Sequence, residues 1–61
     1  MMRYQVKICI SGEVNVLFRE APSWQRALHL ARIFLMEVYG KGFAEIAGCD
    51  YDVKMVSKVR G

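Results

Sequence analysis

Proline, histidine and cysteine are all scarce in this chain, which has one Pro, one His and two Cys among 61 residues. So little proline, in a composition that is 54% hydrophobic and 25% charged, excludes a disordered tail. Cys9 and Cys49 stand 40 positions apart with no second pair, far sparser than a disulfide-stapled miniprotein. Reduced thiols are expected. A metal is not, because His29 is the sole imidazole and shares no ligand spacing with either thiol. Long apolar runs are missing too. The longest is Ile33 to Met36, four residues against about 20 for a membrane span. The start, Met1 to Lys7, has no unbroken apolar core of the secretory kind. The expectation is a soluble cytoplasmic protein with no membrane partner.

What is present fills a single domain. At this length one core rarely stabilises a fold by more than about 3–5 kcal/mol without a staple or a partner. Residues 3–10 alternate strictly, with Tyr4, Val6, Ile8 and Ile10 on one face and Arg3, Gln5, Lys7 and Cys9 on the other. Period two with β-branched residues predicts a strand with one buried face. Residues 13–19 repeat the alternation. Val14, Val16 and Phe18 are expected inward, and Glu13, Asn15, Leu17 and Arg19 outward.

Ser11-Gly12 marks a hairpin between the two. A two-residue loop sets Ile10 opposite Glu13, a core residue beside a carboxylate. A three-residue loop, Ile10-Ser11-Gly12, pairs Ile8 with Val14 and puts Gly12 where a bulge needs positive φ. The three-residue loop is the expectation. Pro22 ends the second strand, and Ser23 or Pro22 opens a helix from Trp24 to Tyr39. At 100° per residue, nine apolar residues from Trp24 to Tyr39 fill an arc of about 180°. Gly40 supplies the left-handed stop. Residues 41–50 are expected to be irregular, tucking Phe43 and Ile46 under the helix. Alternation returns from Tyr51 to Val59, with Tyr51, Val53, Met55 and Val59 inward and Ser57 spoiling that face.

A right-handed crossover through the helix sets the third strand parallel to the second. The predicted fold is therefore α+β, β-β-α-β, with a three-stranded antiparallel sheet of order 2-1-3 and one helix on one face.

No catalytic motif is assembled. His29 lies among Gln25, Arg26 and Arg32 on the polar helix face without a relay partner. Asp50 and Asp52 flank Tyr51, but two oxygen donors make a poor metal site. Gly40-Lys41-Gly42 follows a helix rather than preceding one, so it cradles no phosphate. Cys49 has no basic sequence neighbour to activate it. No enzyme activity, cofactor or small-molecule substrate is expected.

Strand parity gathers Arg3, Lys7, Arg19, Lys54, Lys58 and Arg60 on the outer sheet face against Glu13 and Asp52, six positive minus two negative, or +4. Such a face suits an anionic partner. Leu17, Val56 and Cys9 lie among these charges, and an apolar centre with a basic rim resembles a protein interface more than a base-stacking platform. On the helix, Ile33 and Met36 extend the apolar character of Leu30 and Phe34 beyond what three strands cover. The function expected is a non-enzymatic protein-interaction module. It is a homodimer, or a small subunit or inhibitor docking on a larger acidic protein. Nucleic-acid binding through the basic face is the alternative.

Overall fold

The computed structural model describes residues 1–58. Its elements run β1 (Met2–Ile10), β2 (Glu13–Ala21), α1 (Trp24–Tyr39), α2 (Phe43–Ala47) and β3 (Tyr51–Lys58). The three strands form one antiparallel sheet in the order β2-β1-β3, as expected, with both helices on one face. Val59, expected inward, and Arg60, expected among the basic residues, lie outside the described residues.

β1 behaves as its alternation requires. Tyr4, Val6, Ile8 and Ile10 are buried beneath the helices, while Arg3 and Lys7 face water. α1 begins at Ser23, whose hydroxyl accepts from the Arg26 N–H at 3.3 Å, and ends at Gly40 with φ of 66°. Its buried stripe is Ala27, Leu28, Ala31 and Leu35. The expected irregular stretch contains a short helix instead. In α2, Ile46 is fully buried and Lys41 pairs with Glu45 one turn on at 3.6 Å. Driving Ile46 into the core is what a single turn of helix accomplishes there.

The hairpin differs from the expectation, and the difference propagates. Ile10 pairs directly with Glu13, so the loop is the two residues Ser11 and Gly12. Both have positive φ, 52° and 82°, which a type I′ turn requires and which matches the twist of the flanking strands. The carboxylate opposite Ile10 is tolerated because Glu13 sits exposed at the strand end, where it accepts from the Tyr39 hydroxyl at 3.4 Å.

A one-residue change in loop length exchanges the two faces of a strand. Asn15, Leu17, Arg19 and Ala21 therefore face the helices, opposite Ile8, Val6, Tyr4 and Met2. Val14, Val16 and Phe18, expected inward, lie on the open face opposite Cys9, Lys7 and Gln5.

β3 has an irregularity of its own. Tyr4 pairs with Met55 but Arg3 with Ser57, leaving Val56 as the extra residue of a bulge. The bulge moves Ser57 to the open face beside Arg3 and turns Lys58 toward Met2. The polar residue expected to spoil the inward face is thus removed from it.

Candidate interaction surface

The expected site residues do not form one surface. Leu17, expected at the centre of the open face, is half-buried under the helices and packs against the core. Val56 is half exposed at the bulge. Leu30 and Met36 pack against the core, whereas Ile33 and Phe34 remain exposed.

The basic face is also largely dispersed. Arg19 and Lys58 belong to the helix side, and Glu20 joins the open face, where it holds Arg3 at 2.9 Å. Among the described strand residues the open face keeps Arg3, Lys7 and Lys54 against Glu20 and Asp52, three positive minus two negative, or +1. Lys7 stands opposite Asp52 and, with Asp50 and Cys9, lines a shallow hollow of about 230 Å³. Cys9 and Cys49 are free thiols, and Cys49 lies against the Glu45 carbonyl at 3.3 Å.

What the structure gathers instead is apolar surface along β2. Val14, Val16 and Phe18 are 64%, 45% and 51% exposed in a row on the open face. On the opposite face the Arg19 guanidinium lies over the Phe34 ring at 5.1 Å, so Phe34 stands above the same strand. Val38, one turn along α1 and 60% exposed, continues that flank. Both sides of the β2 edge are therefore greasy, and among the described residues no strand lies beyond it.

The backbone along that edge is unpaired in a defined pattern. Residues flanking a two-residue hairpin loop exchange backbone hydrogen bonds, and pairing alternates from there. Glu13, Asn15, Leu17, Arg19 and Ala21 therefore turn their amides toward β1. Val14, Val16, Phe18 and Glu20 turn theirs outward. Two observed bonds agree: Arg19 donates to the outward Phe18 carbonyl at 2.8 Å, and the Cys9 N–H points the other way, to the Asp50 carbonyl at 2.9 Å.

The two edges of the sheet are managed differently. β3 carries Asp52, Lys54 and Lys58 and is interrupted by its bulge, devices that keep a strand edge from pairing. β2 has no bulge, no proline and no charge from Val14 to Phe18.

A second apolar region lies between α1 and β3. Tyr4, Trp24, Tyr51, Val53 and Met55 line a groove of about 430 Å³, with Trp24, Tyr51 and Met55 about half exposed. Arg32 lies over the Tyr51 ring, its guanidinium 5.2 Å from the ring centre and its Nε buried without a hydrogen-bond partner among the described residues. The residues lining it were legible as an inward set. That α1 leaves them uncovered was not.

A scan against protein-family models, a search of curated proteins and a search of solved structures each return no significant match.

Proposed function

We propose that this protein is a non-enzymatic interaction module that binds another protein chain along its β2 edge. The observation that carries this reading is the row Val14, Val16 and Phe18, exposed beside a strand edge whose backbone groups have no partner strand among the described residues. Exposed apolar rows of this kind mark interaction sites, and an unprotected edge accepts a further strand through its main chain. Phe34 and Val38 on the opposite flank add apolar contact on the second side of the same strand. Nucleic-acid binding draws less support, since Arg19 and Lys58 stand apart from Arg3, Lys7 and Lys54 and no exposed basic stripe is left among the described residues.

The test is a photoreactive phenylalanine analogue at Phe18, with the same analogue at Gln25, exposed and half a turn round α1 from Phe34, as a control. Irradiated in native cells, the Phe18 probe is expected to form protein adducts and the Gln25 probe none. Adducts to nucleic acid at Phe18, or no adducts at either position, would overturn the reading.

A further inference from the structure

We infer that the occupant of the β2 edge is a second copy of this chain, paired antiparallel with Val16 on the two-fold axis. This inference rests on the interaction reading above and names its partner. A two-fold pairing requires a strand that is complementary to its own reverse.

The free edge offers the backbone groups of even-numbered residues only, so the residues that pair across it must both be even. Centring on Val16 satisfies this, setting Val16 opposite itself and Val14 opposite Phe18 of the second copy. On the open face every paired side chain from 14 to 18 is then apolar. On the helix face the same register sets Glu13 opposite Arg19 of the second copy, twice per dimer. Those two residues lie three positions either side of Val16 and carry opposite charge.

The Arg19 guanidinium now rests on the Phe18 carbonyl, one of the groups that the incoming strand would engage. Pairing transfers that guanidinium to a carboxylate and gives the carbonyl to the Val14 N–H of the second copy. Shifting the axis by one residue, to Leu17, also keeps even residues paired. It keeps Val16 against Phe18 but sets Val14 against Glu20 and leaves Glu13 opposite Ala21, so the charge match is lost and the apolar match is interrupted by two carboxylates.

The experiment is sedimentation equilibrium on the wild type, Glu13→Arg, Arg19→Glu and the double exchange, with circular dichroism to confirm that each folds. Within one chain, Glu13 and Arg19 are six strand residues apart, about 20 Å, so no internal pair can form in the double variant. The wild type is expected to dimerise at micromolar concentration. Each single reversal is expected to weaken dimerisation by about tenfold, and the double exchange to restore it to within a few-fold. A wild type that stays monomeric at about 100 µM overturns the inference, since its Kd is then far weaker than the micromolar value expected. A double variant no tighter than the single ones overturns it as well. If the wild type is monomeric while the Phe18 probe still captures a different protein, the second copy is excluded and the interaction reading stands.

Discussion

Ile46 belongs to a helix of only five residues, yet it is among the largest side chains that are fully buried. Among the described residues three of the ten in the core are alanines, so each large one carries an unusual share of the apolar area removed from water. Truncating Ile46 to Ala is expected to cost about 2–5 kcal/mol, comparable to the whole stability of a domain this small. A urea titration of Ile46→Ala should therefore show a lost or nearly lost native baseline. Ile33→Ala, at an exposed position of α1, should change the unfolding free energy by less than about 0.5 kcal/mol. The Arg3–Glu20 ion pair is close at 2.9 Å but about half exposed, and its removal belongs with the small effects.

Among the elements, the Ser11-Gly12 turn has the widest consequences. Ser11 holds φ of 52°, a conformation that Asn adopts more readily and that type I′ hairpins favour at this position. Ser11→Asn is expected to raise stability by about 0.5 kcal/mol, read as an increase in melting temperature. Ser23→Ala should act in the opposite direction, losing the bond to the Arg26 N–H and about 1 kcal/mol. The turn also explains why β2 turns its expected inward face to the open side. Its odd residues include Leu17 and Ala21 and its even ones Val14, Val16 and Phe18, so both faces hold apolar residues and counting favours the wrong one. The legible signal was the dipeptide itself, a short Ser-Gly between two alternating runs. Against it stands the cost that Ile10 opposite Glu13 suggests. That pairing is cheap at an exposed strand end where the carboxylate keeps its water.

For the whole molecule, cover is the limiting quantity. A helix is about 10 Å across and strands lie about 4.8 Å apart, so one helix shelters two strands of three. α1 packs chiefly over β2 and less over β1 and β3, which leaves Tyr51 and Met55 of β3 half exposed beside Trp24. The open face has no layer over it among the described residues. If a second copy caps the β2 edge, stability becomes dependent on concentration. The melting temperature should rise by several degrees between about 1 and 100 µM, and Phe18→Asp should abolish that rise while the low-concentration value changes little. A melting temperature independent of concentration would count against self-association.

Local pattern determined the elements of this protein, α2 excepted. The alternation in β1 and β3, the Ser23 cap, the Gly40 stop and the sheet order 2-1-3 follow from residue spacing and the handedness of crossovers, which act over short stretches of chain. The surface was decided elsewhere. Period two states which residues share a face of a strand, never which face meets the helix. For β2 that choice was made by the turn geometry and by what α1 can cover. The bulge at Val56 did the same for Ser57 and Lys58. Together they dispersed the expected basic face and exposed Val14, Val16 and Phe18, because a single step in register carries every later side chain to the opposite side of the sheet.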